Sequence, residues 1–327
     1  MSIPAFARLV MSTTPTTPEI PYTVVGGASQ GPGVDTVTLV LLNRGGKYLR
    51  EESLAKVQEL GFGEIISVEG RERSYNVEKL AGSFPRTRFL LLESELSPGV
   101  QVNLAAKECR SRLLYIAWHD MELQGIPARL LTRVKEERIL CVAPMLRSER
   151  GEVMPTLVSP SFHRAGLRVV QLPPQRDGMK TLYPFDFTGL YNLERFNVVG
   201  GYSYRIPGRF WQLMDFGFRS HMWGEQIVGS TVLRAGYNSK TPPEDQTADA
   251  VGYPRFFLRN LLPRVEAERA RLPKRRLLPF VFKTGVSFSR GVKLFKEAQW
   301  WVDKNSERFV RDARSVVNQW DPEGDSR

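Results

Sequence analysis

Apolar positions in the first third of the chain fall into short unbroken runs separated by segments of helical period. Residues 37–43 (VTLVLLN), 64–70 (EIISVEG), 87–94 (TRFLLLES) and 113–118 (LLYIAW) are such runs. A strand reads this way when both its faces are covered, as in a parallel sheet flanked by helices. Between the runs, residues 49–60 place Leu49, Leu54, Val57 and Leu60 at helical spacing, and Gly61 and Gly63 end that segment. Residues 77–84 and 99–109 read as two further helices. The order βαβαβαβ predicts an α/β fold with a mostly parallel central sheet and right-handed crossovers. Residues 138–146 (RILCVAPML) add a strand, and RSERGEVMP continues it as a hairpin around Gly151.

The ends of the chain read differently. Residues 1–34 are rich in Pro, Thr, Ser and Gly with weak periodicity, which predicts a disordered leader and a domain starting at Asp35. Residues 238–254 form a polar loop with Pro242 and Pro243, long enough to act as a lid over substrate. From residue 255 the pattern is helical. Residues 256–272 read as one segment, KRRLLPF interrupts it, and residues 291–320 keep Phe295, Ala298, Val302, Phe309, Ala313, Val316 and Trp320 on one face. Lys293, Lys304, Arg308, Arg311 and Arg314 lie opposite, so this helix is expected to pack on the main domain with a solvated basic face. The expected organisation is a leader (1–34), an α/β domain (35–237) and a loop with a basic helical extension (238–327).

Charge sharpens this division. The 327 residues carry a net charge of +11, and from Arg255 onward there are 17 Lys and Arg against 9 Asp and Glu. A basic tail on a near-neutral body calls for an anionic partner. No zinc spacing, RNP-like sequence or compact helix-turn-helix accompanies the charge, which argues against nucleic acid. Lys274, Arg275 and Arg276 beside apolar residues 277–282 fit an anionic membrane surface better. No run of about 18 apolar residues could span a bilayer, and no secretory core stands at the N-terminus. Cys109 and Cys141 read as buried thiols in a reducing compartment. The expected location is cytoplasmic, peripheral at the inner face of the membrane.

Candidate chemistry centres on RLLYIAWHDMEL, residues 112–123, where an apolar strand ends in His119, Asp120 and Glu122. Open α/β sheets bind ligands at the carboxyl ends of their strands. Two carboxylates two residues apart suit magnesium or manganese with phosphate completing the shell, although a lone D-x-E is more often a solvated loop pair. His119 reads as a hydrogen-bonding residue at the strand end, and Arg44 as a loop cation within reach of phosphate. No G-x-G-x-x-G follows the first strand, which argues against a dinucleotide-binding fingerprint.

The run SPGVQVNLAAKECRSRLLYIAWHDMEL resembles the nucleotide-sugar half of a GT-A glycosyltransferase of the inverting family-two type. The resemblance covers roughly residues 37–237 and implies a GT-A (Rossmann-like) α/β fold with a C-terminal helical extension. It implies donor contacts at Asn43, Arg44, Glu69, Gly99 and Asn103, and a manganese or magnesium ion on Asp120 and Glu122. Glu69 stands where the family has an Asp. In FDFTGLYNLERFNVVGGY, Gly189, Arg195, Gly200 and Gly201 match the acceptor side, and Arg219 joins them. The family's E-D-x-D-L-x-x-R becomes Q-L-M-D-F-G-F-R here: Asp215 and Arg219 match, whereas Gln212 and Leu213 replace the E-D pair that supplies the base. An inverting transfer needs a carboxylate to accept the acceptor's proton. Asp215 is the first candidate, with Glu225 and His221 behind it, against a plain i,i+4 ion pair to Arg219.

The sequence therefore implies a metal-dependent transfer of sugar from a nucleotide-diphosphate sugar to a glycan or lipid-linked acceptor. The alternatives are a nucleotidyltransferase of similar fold, faintly suggested by Arg44-Gly45-Gly46, and a non-catalytic nucleotide-sugar-binding protein, suggested by the missing E-D pair.

Overall fold

The computed structural model describes residues 20–27, 33, 36–44, 50–70, 76–163, 166–239 and 251–322. After β1 (Tyr22–Gly26), strands and helices alternate: β2 (Val37–Leu42), α1 (Arg50–Gln58), β3 (Glu64–Gly70), α2 (Val77–Ser83), β4 (Thr87–Leu92), α3 (Pro98–Glu108) and β5 (Leu113–Trp118). These bounds lie within two or so residues of the apolar runs. Strands β2 to β5 are parallel, in the order β4-β3-β2-β5. Every residue of β2 and β5 is buried, as strands covered on both faces must be.

The second half completes the sheet. It contains β6 (Met121–Leu123), α4 (Ala128–Glu136), β7 (Cys141–Arg147), the hairpin β8 (Leu157–His163) and β9 (Gly166–Leu172), β10 (Gly189–Asn192), α5 (Leu193–Val199), α6 (Arg209–Met222) and β11 (Ile227–Tyr237). The nine-stranded order is β1-β4-β3-β2-β5-β10-β7-β11-β6. β10 is wedged antiparallel between β5 and β7, with Gly189 beside Ile116 and Asn192 beside Leu113. Its amino end therefore lies at the carboxyl edge of β5, which brings residues 185–188 to the rim where Asp120 begins. The fit is close enough to require glycine at 189, where a Cβ would stand 2.6 Å from Cys141 Sγ and 3.2 Å from the Val142 carbonyl.

Two expectations change at the ends. Residues 22–26, placed in the disordered leader, pair antiparallel with β4 from Tyr22–Leu92 to Gly26–Arg88. Tyr22 also donates to Glu108 at 2.7 Å. A Thr-Val-Val run added to an open sheet edge satisfies backbone groups that weak periodicity does not reveal. Most of the rest of the expected leader, residues 1–19, 28–32 and 34, lies outside the described residues, as does most of the expected lid, residues 240–250.

The tail was expected to be helical. After α7 (Tyr253–Phe256) and a π-helical turn (Phe257–Leu261), residues 264–271 instead form the hairpin β12 (Arg264–Glu266) and β13 (Arg269–Arg271). Ala267 and Glu268 take positive φ in its turn. Then come α8 (Leu277–Thr284), α9 (Phe288–Lys304) and α10 (Ala313–Asn318), so the long helix expected over 291–320 breaks after Lys304. Phe280, Phe295, Ala298, Val302, Phe309, Ala313 and Val316 join the same apolar core as the sheet, in agreement with the expected packing of the tail. Among the described residues no helix is long and apolar enough to cross a membrane.

Candidate active site

At the carboxyl edge of the sheet, β2, β5, β6 and β11 end around one cleft of about 870 Å³, whose walls include Arg44, Ser53, Lys56, His119, Asp120, Glu122 and Asn238. Beside it lies a charged cluster. The Arg44 guanidinium stacks on the Trp118 indole, 3.7 Å from its centre. Its Nε donates to Asp120 Oδ2 at 2.9 Å, and its Nη1 and Nη2 donate to both oxygens of Asp186. Arg209, at the start of α6, donates to Asp186 as well, and the Tyr237 hydroxyl donates to Asp186 Oδ2 at 2.9 Å. Trp118 Nε1 donates to the Asp186 carbonyl at 2.8 Å.

Sequence reasoning missed Asp186. It is 2 % exposed and flanked by phenylalanines, so its surroundings read as core. Asp186 and Phe187 both have positive φ, 53° and 62°. Side chains rarely adopt that conformation, and such strain concentrates at functional sites. Two arginines and a tyrosine hold Asp186 there. Burial would depress the Arg44 pKa, but Asp186 and then Asp120 outweigh it and raise the value. Burial, with Asp186 beside it, lifts Tyr237 well above the ordinary phenol range, so Tyr237 stays a donor at neutral pH.

The expected metal pair can be tested on this geometry. Asp120 Oδ2 is engaged by Arg44, but Asp120 Oδ1 is buried with no hydrogen-bond partner. Glu122, on β6 opposite Gly236, is exposed and lines the same cleft. Among the described residues no group of three or more His, Cys, Asp or Glu could hold a metal by itself. Two carboxylates with an unpartnered oxygen nevertheless fit a magnesium-type ion that takes its remaining ligands from phosphate and water. His119, also in the cleft wall, is buried and engaged by other partners. Ser67 Oγ donates to Glu69 Oε1 at 2.8 Å and so accepts from His119 Nε2, also at 2.8 Å. That network assigns the proton to Nε2 and leaves Nδ1 facing Ser53 Oγ at 3.4 Å.

Asn43, Glu69, Gly99 and Asn103, expected on the donor side, do not line the cleft. Glu69 is fully buried and cannot touch a donor in this arrangement: it accepts from Asn43 Nδ2 at 3.1 Å and from Ser67. Asn43 and Glu69 thus brace the strand ends beneath the cleft. Asn103 spans the backbone of Tyr202, donating to its carbonyl at 2.7 Å and accepting from its N–H at 2.9 Å. Gly99 lies against Tyr202 and Gln212, and its N–H reaches Gln212 Oε1 at 3.3 Å. Gln212 also donates to Ser97 Oγ at 2.8 Å. Gln212 thus ties α3 to α6 through side-chain hydrogen bonds, and its Nε2 also donates to the Ser203 carbonyl at 3.3 Å, a bond a carboxylate could not make.

Asp215, the expected base, lies inside the protein. Asp215 has no exposed surface. Its Oδ2 accepts from Arg219 Nη2 at 2.9 Å, its Oδ1 accepts from Asn260 Nδ2 at 2.9 Å, and Arg259 stands 3.9 Å away. Burial would raise its pKa, but Arg259 and Arg219 pull it below the ordinary value. In this arrangement both Asp215 oxygens are occupied and shut off from solvent. Arg219 donates onward to the carbonyls of Val199 and of Gly201, the latter at 2.7 Å. Gly201 and Arg219, expected on the acceptor side, are therefore parts of one buried brace, and Gly200 closes α5 at φ 84°.

His221 and Glu225, the other base candidates, line a second cavity of about 500 Å³ near the amino-terminal ends of β7 and β11, at the opposite edge of the sheet. Burial pushes His221 down to about 4, and it reaches the Thr181 carbonyl at 3.0 Å. Burial raises Glu225 despite its ion pair with Arg195 at 3.0 Å.

No family model matches the chain, and no curated protein matches its sequence. Solved structures do match. GalNAc-T7, determined with UDP, GalNAc and Mn2+, superposes with a TM-score of 0.59 at 12 % identity over 87 % of this chain and 56 % of its own. The chain thus spans little more than half of that structure's length. Staphylococcus aureus TarS 1-349 in complex with UDP-GlcNAc gives 0.49 at 8 % identity over 88 % and 76 % of the two chains. The Pyrobaculum calidifontis mannosyltransferase PcManGT, with GDP-Man and Mn2+, gives 0.44 at 13 % identity over 86 % and 77 %. With its mostly parallel sheet, its antiparallel β10 insertion and its charged cleft at the carboxyl edge, the chain has the GT-A glycosyltransferase fold.

Proposed function

We propose that this protein transfers a sugar from a nucleotide-diphosphate sugar to a glycan or lipid-linked acceptor. The observation that carries the reading is the pairing of Arg44 with Asp120 and Asp186 at the carboxyl edge of a GT-A sheet. It brings a guanidinium, an unpartnered carboxylate oxygen and a roomy cleft together. The donor lies in the cleft beside α1, where Lys56 and Ser53 face Asp120 and Glu122. GalNAc-T7, which shares the fold and was determined with Mn2+, supports a divalent ion, which Asp120 and Glu122 would hold against the diphosphate. When bound, such an ion supplies Lewis-acid stabilisation of the departing nucleotide.

The chain's own residues supply the rest. Arg44 and Arg209 converge on Asp186 from two elements, and Trp118 carries Arg44 on its face. A diphosphate entering the cleft competes with the carboxylates for these guanidinium groups, and Arg binds phosphate with two parallel bonds. Asp186 is a positioning residue: it holds both cations ready, and Tyr237 fixes its orientation. The inverting course expected from the sequence loses its base, because Asp215, His221 and Glu225 all lie away from this cluster.

The test is a thermal-shift panel of UDP, GDP and CDP with and without manganese. A nucleotide at about 100 times its Kd stabilises the fold by about 2.7 kcal/mol. Asp120→Asn, at a partly exposed strand end, should melt like the parent but lose the manganese-dependent part of the shift. No shift with any nucleotide would refute donor binding. An equal shift in Asp120→Asn would refute the metal assignment alone.

A further inference from the structure

We infer that the helix pair α8–α9 is a docking surface for an anionic lipid bilayer. Residues 269–296 contain nine Lys and Arg and no Asp or Glu. Of those nine cations only Arg269 has a carboxylate partner among the described residues, Glu307 at 2.7 Å. Lys274, Arg275 and Arg276 stand just before the amino end of α8, where the helix dipole disfavours positive charge. They do not stabilise the helix and are left to meet an outside anion.

The apolar side chains of the pair point the same way in chemistry. α8 buries Phe280, which stacks on Phe257 with ring centres 6.4 Å apart, while Leu278 and Phe282 stay 57 % and 84 % exposed. At 100° per residue, Leu278 and Phe282 fall on one line with Arg275, opposite the buried face. Phe288, 57 % exposed, starts α9 just past the turn at Gly285. α9 faces the core with Leu294, Phe295, Ala298, Trp301 and Val302. Its outward stripe is Lys293, Lys296, Trp300 and Lys304, with Trp300 53 % exposed and Lys304 Nζ 5.1 Å from its ring centre.

Exposed Phe and Leu on a soluble face cost hydration and invite aggregation unless something covers them. The covering partner must accept aromatic side chains and a dense array of cations at once. A bilayer with anionic headgroups does both: rings enter the acyl boundary while Lys and Arg stay at the phosphates. A second copy of this chain would bring the same positive charges into contact, which repel. The inference does not depend on the transferase reading, because vesicle binding is measured without donor.

The experiment is cosedimentation of the full-length chain with vesicles of phosphatidylcholine alone or mixed equally with phosphatidylglycerol. The protein should pellet with the mixed vesicles, stay in solution with phosphatidylcholine alone, and be released by high salt. Each charge reversed in Lys274→Glu/Arg275→Glu should weaken binding about fivefold or more. Leu278→Ser/Phe282→Ser should lose binding while melting like the parent, because both side chains are exposed. Equal binding to the two vesicle types, binding to neither, or parent-like binding by either double variant would overturn the inference. So would a dimer of the parent that Leu278→Ser/Phe282→Ser dissociates, or release from vesicles by soluble glycerol 3-phosphate, which would mark a small-anion site.

Discussion

Replacing Asp215 by Asn separates a structural acid from a catalytic one. Asp215 is the only carboxylate within ion-pair distance of Arg219 or Arg259 among the described residues, and both arginines are buried. In Asp215→Asn those two charges lose their counter-ion. The new amide also turns an NH2 toward either Arg219 or the Asn260 amide, so one donor faces another whichever way it is oriented. Asn260 could flip to offer its unpartnered Oδ1, but it would give up its 3.2 Å bond to the Phe256 carbonyl. Breaking a buried pair from one side costs about 3–5 kcal/mol. For a domain of this size, about 2 °C per kcal/mol predicts a melting point lower by about 6–10 °C. Adding Arg219→Gln should restore part of that loss by removing one uncompensated charge, a coupling read in a double-mutant cycle. The assay is thermal unfolding alongside nucleotide affinity at a temperature where the variant is folded, where affinity should match the parent. A parent-like melting point with transfer abolished would refute the argument and return Asp215 to the chemistry.

His221 titrates near 4 when folded against an ordinary 6.5, with Lys180 and Arg311 also disfavouring its charge. The unfolded chain binds the proton first, so this stability is complete above about pH 6.5 and is lost as pH falls toward 4, amounting to at most about 3 kcal/mol. His221→Gln should flatten the slope of denaturant-measured stability over that window, and an unchanged slope would clear His221. Asp186→Asn should weaken nucleotide binding by releasing Arg44 and Arg209, and the loss should shrink at high salt; unchanged affinity at low salt would contradict the positioning role. Gly217→Ala, which helix propensity favours by about 1 kcal/mol, should instead lower the melting point, because its Cβ would collide with the Leu182 carbonyl across α6; a stabilised variant would show that α6 can shift. Deleting residues 291–327 should yield aggregation, since it uncovers the core under Phe295, Val302 and Phe309; a soluble, folded truncation would show that the tail is dispensable.

Much of the fold was legible because its signals are local. The four apolar runs and the helical segments between them follow from which side chains must be covered, and they fixed β2 to β5 and α1 to α3 without knowledge of neighbours. The same locality put Asp120 and Glu122 at a strand end and grouped the tail's apolar face. What tertiary structure decided is which of these elements meet. Asp186 is 66 residues from Asp120, and only the antiparallel insertion of β10 between β5 and β7 carries it beneath Arg44. Asp215 and Arg219 sit at a spacing that suits an exposed pair or a catalytic one equally. Arg259 and Asn260, contributed by a later turn, closed the pocket and made it structural. The segment 264–271, VEAERAR preceded by Arg, has strong helix formers, yet it turns back at Ala267 and Glu268 to bury Ala270. Propensity is worth tenths of a kcal/mol per residue, whereas each buried methyl or methylene is worth about 0.8 kcal/mol, and Val265 packs on the core beside Ala270. Where the two disagree, packing decides, and packing is a property of contacts that no single stretch of sequence contains.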